Sequence, residues 1–137
     1  MPARIPPTAA AFLEAATWPG VLTTLGPDGW PRASSVWFAL REGCIVISTP
    51  AGRPKAANAA ADRRVSFLVD TRERPYRGVA IEGLATVTPD PGAETVRAIG
   101  RRYLGDALPP EFEARIAAAE RVVLVIEPVR VRTWGLG

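Results

Sequence analysis

The sequence of 137 residues contains no histidine, one cysteine (Cys44) and one lysine (Lys55). Without histidine, serine–histidine and cysteine–histidine nucleophile pairs are excluded, and so is any metal site that needs an imidazole. A single cysteine allows no disulfide within the chain. Cys44 opens the apolar run Cys44-Ile45-Val46-Ile47 and reads as a small buried side chain. No apolar stretch approaches the roughly 18 residues of a membrane helix. The N-terminal segment Met1-Pro2-Ala3-Arg4-Ile5-Pro6-Pro7 lacks the apolar core of a signal peptide. The expectation is a cytoplasmic protein with no membrane partner. Its chemistry must rest on Arg, Lys, Tyr, Asp, Glu, Ser or Thr, or be carried by a bound cofactor.

The composition is that of an ordinary globular chain, 47% hydrophobic and 23% charged. Its length suits one domain over residues 1–137. The net charge of +3 favours an anionic partner weakly. The arginines are spread along the chain, with no basic block interleaved with aromatics, so nucleic acid is not an expected partner.

The local patterns predict a short helix over Thr8–Thr17, capped by Thr8 and closed by Pro19-Gly20. Three strands follow, Val21–Leu25, Arg32–Leu40 and Cys44–Thr49, separated by the turns Gly26-Pro27-Asp28-Gly29 and Arg41-Glu42-Gly43. A loop then passes into a second helix, with Pro54 suited to its first position. Arg64–Asp70 and Gly78–Thr88 read as strands, the latter bent at Gly83. Helices are expected over Thr95–Tyr103 and Pro110–Ala119. Two final strands, Arg121–Glu127 and Val129–Trp134, are divided by Pro128. So many antiparallel strands in a short chain point to a mainly β fold closed into a barrel with flanking helices, because closure removes exposed edges.

The most informative segment is Ser48-Thr49-Pro50-Ala51-Gly52-Arg53-Pro54-Lys55-Ala56-Ala57-Asn58. A strand ends in two hydroxyls and a helix begins beside two cations. A helix N-terminus offers unpaired N–H groups and partial positive charge, Arg53 a forked donor, and Lys55 a mobile point charge. Asn58, one turn on, can donate from its amide. The combination suits a phosphate, although the spacing is not that of a Walker loop. Solvated charges on a helix start are the plainer alternative. They oppose the helix dipole by a few tenths of a kcal/mol, roughly, unless an anion is present.

On the strand Arg32–Leu40, residues Ala33, Ser35 and Trp37 share one face, and Arg32, Ser34, Val36 and Phe38 the other. Ser34 and Ser35 leave room for a flat ring and offer it hydrogen bonds, while Trp37 and Phe38 also read as core. In the run Arg72-Glu73-Arg74-Pro75-Tyr76-Arg77, Tyr76 and Arg77 could line a cofactor edge. Arg63-Arg64 and Arg101-Arg102 read as surface charge, and Trp134 as packing on the barrel end.

These segments, in this order, resemble the pyridoxamine 5'-phosphate oxidase-like FMN-binding split β-barrel superfamily, most of all its branch of reductases dependent on the deazaflavin coenzyme F420. The marks are Val21-Leu22-Thr23-Thr24-Leu25 with its Pro-Asp-Gly turn, Pro31 to Phe38, Ser48 to Asn58, and Asp62-Arg63-Arg64-Val65-Ser66-Phe67-Leu68-Val69. The resemblance implies a homodimer with cofactor sites at the subunit interface. It implies that Ser48, Thr49, Arg53, Lys55 and Asn58 hold the ribityl-phosphate part, and that Arg32, Ser34 and Ser35 border the ring. It also implies an aromatic residue at the start of the strand after Tyr76-Arg77, where this chain has Gly78, which leaves the ring pocket more open on one side.

The leading expectation is an oxidoreductase using F420 to transfer a hydride to a small organic acceptor. The sequence singles out no catalytic proton donor; solvent or Tyr76 is available. Arg72, Arg74 and Arg77 are candidates to attract the coenzyme's polyglutamate tail. The alternatives are an FMN-dependent reductase, a pyridoxamine-phosphate-oxidase-like oxidase, and a non-catalytic flavin- or deazaflavin-binding protein. The oxidase is the weaker, because no second phosphate pocket is evident.

Overall fold

The computed structural model describes residues 3–137. Seven antiparallel strands form one sheet: β1 (Gly20–Leu25), β2 (Pro31–Val36), β3 (Ala39–Arg41), β4 (Cys44–Pro50), β5 (Arg64–Asp70), β6 (Gly78–Pro89) and β7 (Arg121–Trp134). Their order is β2-β1-β5-β6-β7-β4-β3. β2 and β3 therefore lie at opposite ends of the hydrogen-bonded series, yet only Trp37 and Phe38 connect them. The three residue steps from Val36 to Ala39 span at most about 11 Å, so the sheet must roll until its ends nearly meet. The result is a barrel split at β2 and β3 and closed there by the chain itself.

Four helices flank it: α1 (Pro7–Ala15), α2 (Pro54–Ala61), α3 (Glu94–Leu104) and α4 (Pro110–Ala117). Alternating residues of the strands fill the interior, among them Leu22, Ile47, Phe67, Ile81, Leu124 and Ile126. α1 adds Phe12 and Leu13 to this core, and α2 adds Ala59.

Three elements differ from the sequence reading, each for a local reason. Helix α1 starts on Pro7, so Thr8 lies inside its first turn and caps nothing; proline preset for helical φ takes the first position. The expected strand Arg32–Leu40 is interrupted at Trp37-Phe38. There the Phe38 N–H donates to the Tyr103 hydroxyl at 3.3 Å, and its carbonyl accepts from Arg102 Nε at 3.0 Å. Side chains of α3 thus take the hydrogen bonds that a neighbouring strand would otherwise supply. Finally, Pro128 does not divide the last strand. β7 runs through it, paired with β6 along its length, and a register shift between Glu82 and Gly83 absorbs the irregularity. A Cβ on Gly83 would stand 2.6 Å from the Glu127 carbonyl oxygen, so glycine is needed for this approach. The bend expected at Gly83 coincides with that shift.

Among the described residues, no helix is long and apolar enough to cross a membrane.

Candidate functional site

A cleft of about 610 Å³ opens where β4, the start of α2, and helices α3 and α4 converge. Ser48, Thr49 and Pro50 at the end of β4 form one side, and Arg53 and Lys55 flank it from α2. Ser35, Val36 and Trp37 enter from β2 and its link, Val96 and Ile99 from α3, Phe112, Arg115 and Ile116 from α4, and Arg121 from β7. The cleft is cationic and hydroxyl-rich at one end and aromatic or aliphatic at the other.

Local sequence explains the cationic end. β4 stops at Pro50, the Arg53 N–H donates to the Pro50 carbonyl at 3.1 Å, and Pro54 starts α2. Arg53 is the N-cap, in extended conformation, and no side chain caps the helix. Its first-turn N–H groups therefore lack a side-chain acceptor. Lys55 is half-buried. Burial, and then the neighbouring Arg53, hold its ammonium below the ordinary lysine value of 10.5. Among the described residues, neither cation forms an ion pair; the four pairs present are Asp28–Arg32, Asp62–Arg64, Glu113–Arg97 and Glu82–Arg130. A partly desolvated ammonium beside a second cation, with no carboxylate partner, is an unfavourable arrangement that a bound anion relieves.

The aromatic end is rigid. Trp37 stacks on Tyr103 with centroids 4.6 Å apart and planes 2° from parallel, and Phe112 lies 6.1 Å from Trp37 at 20°. Gly100 makes room for Phe112: a Cβ there would stand 2.6 Å from the ring. A bidentate ion pair between Arg97 and Glu113 also ties α4 to α3.

The structure brings together Ser35, Ser48, Arg53 and Lys55 from the sequence-based candidates; Thr49 borders the same cleft, but it is 2% exposed and its side chain lies on the opposite face of β4 from Ser48, with Ile45 and Ile47. It places the others elsewhere. Ser34 stands opposite the fully buried Leu22 and shares its inward face, whereas Ser35 points outward to the cleft. Arg32 turns back over the hairpin and pairs with Asp28 at 2.8 Å. Asn58 is buried, its amide donating to Thr24 Oγ1 at 3.3 Å on the barrel side of α2. Tyr76 is 56% exposed and outside the cleft. Arg77 lies with its guanidinium 5.5 Å from the Phe12 ring centre.

Arg77 also borders a second cleft of about 630 Å³, which contains Arg72 and Arg74, the indole of Trp18, and Val21 and Leu68 from the sheet. Ser35 is the one residue common to both clefts. Over Gly78, the position expected to leave an opening is filled: an added Cβ would overlap the Trp134 indole, whose residue pairs with Gly78 across β6 and β7. The aromatic ring comes from the neighbouring strand.

Arg115 and Arg121 are cleft residues that the sequence reading did not name. Arg121 pairs in register with Pro50, so its side chain meets the end of β4, and its Nε donates to Ser48 Oγ at 3.0 Å. The pairing of β7 with β4 would have revealed it; no local motif does.

Comparison with known proteins agrees with this architecture. The sequence model described as pyridoxamine 5'-phosphate oxidase matches residues 5–135. A conserved hypothetical protein from Mycobacterium tuberculosis is 32% identical, with a TM-score of 0.79 over 93% of this chain and 82% of its own. An F420 reductase is 28% identical, with a TM-score of 0.77 over 93% of this chain and 98% of its own. A heme binding protein from Mycobacterium smegmatis is 27% identical, with a TM-score of 0.70 over 95% of this chain and 55% of its own. The chain belongs to the pyridoxamine 5'-phosphate oxidase family.

Proposed function

We propose that this protein is an oxidoreductase that binds the deazaflavin F420, in preference to FMN, and promotes hydride transfer to a small organic acceptor. The observation that carries the reading is the pair Arg53 and Lys55, partnerless among the described residues and set at the open N-terminus of α2 beside Ser48 and Thr49. The chemistry of this corner fits a ribityl phosphate: two cations, the Ser48 hydroxyl and a helix N-terminus that no side chain caps. Similarity to an F420 reductase over nearly the whole of both chains favours the deazaflavin.

In this reading Arg53 and Lys55 bind the phosphate, while Ser48 and Ser35 orient the coenzyme along the mouth of the barrel. Trp37, Phe112, Val96 and Ile99 exclude water from one side. The bound deazaflavin supplies the hydride chemistry, and the protein supplies position and a dry surface. The second cleft, reached past Ser35, is open to the acceptor. Among the described residues, no buried acid stands ready as proton donor. The Tyr103 hydroxyl is committed to Phe38 and Trp18, which leaves solvent or the exposed Tyr76.

A homodimer belongs to the same proposal. It is supported by an outward row on the sheet, where Val21, Leu68 and Ala80 stand side by side in register, and Val21 is 36% exposed. A second copy covering this face would bring its loops toward the clefts, and light scattering should report a dimer. Heme is a poorer fit, since histidine, its commonest proximal ligand, is absent. Burial also pushes the Cys44 thiol up, with help from Glu127 and Glu42, away from thiolate ligation.

Titration of the purified protein with F420 and with FMN, followed by fluorescence, tests the proposal. F420 should bind at least about tenfold tighter, a difference of roughly 1.4 kcal/mol. Lys55→Glu should abolish binding of either coenzyme with little change in melting temperature. Unaltered affinity in that variant would overturn the phosphate assignment.

A further inference from the structure

Arg53 and Lys55 are not the only cations in the first cleft. Arg115, from the last turn of α4, and Arg121, from the start of β7, border the same space. Arg121 is half-buried and fixed by its hydrogen bond to Ser48 Oγ. Burial lowers its affinity for a proton, and Arg115 adds repulsion. Asp90 is the acid that acts on it. Both Asp90 carboxylate oxygens are already occupied, accepting from the N–H groups of Thr95 at 3.0 Å and Val96 at 3.1 Å as α3 begins. Neither arginine forms an ion pair among the described residues.

The cations fall into two sets. Arg53 depresses Lys55, and Arg115 depresses Arg121. The first set stands at the start of α2 and the second on α4 and β7, where Ser48 Oγ accepts from Arg121. A lone phosphate monoester carries close to two negative charges at neutral pH, and so matches one set and leaves the other unanswered. A position in the last helical turn suits Arg115 by the helix dipole. That role is served equally by a side chain aimed at solvent and does not account for its place on the cleft.

We propose that Arg115 and Arg121 form a second anion position, so that the ligand of this cleft presents two negative groups in succession: a phosphate at Arg53 and Lys55, then a carboxylate or second phosphate at Arg115 and Arg121. The inference rests on the phosphate reading of the α2 corner. It also redirects the coenzyme's acidic tail. The tail follows the phosphate, and both cationic sets lie in the cleft on the phosphate side of Ser35. Arg72, Arg74 and Arg77 lie in the other cleft, which shares only Ser35 with it. The acidic tail therefore leaves past α4, and the Arg72–Arg77 loop faces the acceptor.

Calorimetry with inorganic phosphate, pyrophosphate and 3-phosphoglycerate tests this without any redox readout. The last two carry two anionic groups at different separations. At least one of them should bind the wild-type protein tenfold or more tightly than phosphate. In Arg115→Gln and Arg121→Gln that advantage should fall to about twofold or less while phosphate affinity is retained; Lys55→Glu should weaken all three. Thermal melts of each variant identify any that fail to fold, and Arg115, being exposed, provides the arm least coupled to folding. If neither double anion exceeds phosphate, or if the advantage survives both arginine substitutions, the second position is wrong while the phosphate corner stands. If phosphate, F420 and FMN all fail to bind the wild type, the functional reading fails and the inference with it.

Discussion

Tyr103 lies flat on Trp37, and the hydroxyl of the same side chain accepts from the Phe38 N–H and donates to the Trp18 carbonyl at 3.1 Å. One residue of α3 therefore fixes the link that closes the barrel. Through Trp37 it also fixes one wall of the cationic cleft, and through Trp18 one wall of its neighbour. Burial raises the Tyr103 phenol above its ordinary value, so it stays a neutral donor and acceptor across the physiological range.

Tyr103→Phe keeps the ring and removes both hydrogen bonds. The Phe38 amide, in a fully buried residue, then has no acceptor, and leaving it unsatisfied should cost about 1–3 kcal/mol. Urea unfolding with an unchanged slope and a lower midpoint is the expected result. An unshifted midpoint would mean the hydroxyl is not what holds the link.

Arg102 is more heavily engaged than Tyr103. It donates to the carbonyls of Phe38, Glu14, Leu13 and Ala16, closing the end of α1, and its guanidinium sits 4.9 Å from the Phe38 ring centre. Arg102→Met should destabilise by about 2–4 kcal/mol, since several part-buried carbonyls lose charge-assisted donors together. Arg102→Lys should recover less than half of that, because an ammonium cannot reproduce the planar fork. Equilibrium unfolding of the two variants side by side decides it.

These two residues mark the limit of what the sequence discloses. The strand-rich order, the bend at Gly83 and the helix starting at Pro54 were legible, because turn chemistry and alternation are local. Ser48, Arg53 and Lys55, which line one cleft, were legible as neighbours because they are nearly contiguous. Arg102 read as surface charge, because nothing nearby in sequence shows that its partners lie more than sixty residues away. The same blindness affected Arg115 and Arg121, which reach the cleft through helix docking and strand register. Asn58 shows the converse: its spacing one turn beyond Lys55 suggests the phosphate, yet the amphipathic face of α2 turns it inward toward Thr24. Contiguity singled out the segment, and three-dimensional packing decided which of its side chains line the cleft.

Gly100 gives a test of how α4 is held. Alanine there would favour α3 by about 1 kcal/mol in an isolated helix. Here the added methyl meets Phe112 and, at 3.2 Å, Leu108. Overpacking of about 1–3 kcal/mol should outweigh that gain, and Gly100→Ala should lower the melting temperature. Adding Phe112→Leu should restore part of the loss, giving a favourable coupling energy in a double-mutant cycle. Additive losses would mean that the two positions are not in contact.

Lys55 makes the pH dependence of binding calculable in sign. Its ammonium titrates below 10.5 in the free protein, chiefly through burial and then through Arg53. A phosphate favours the charged form and raises that value on binding, so the complex takes up a proton in the window between the two. A phosphomonoester such as FMN stays dianionic above about pH 7. Its affinity should therefore fall as pH rises through the depressed Lys55 value, by up to about tenfold per pH unit for one proton, and the fall should begin below the range of an ordinary lysine. The unliganded protein has the opposite trend from this group: the unfolded chain holds the proton longer, so Lys55 adds stability as pH rises across the same window. Lys55→Gln should bind FMN weakly, with a flat profile up to pH 10. A wild-type profile equally flat to pH 10 would show that the ammonium does not meet the phosphate.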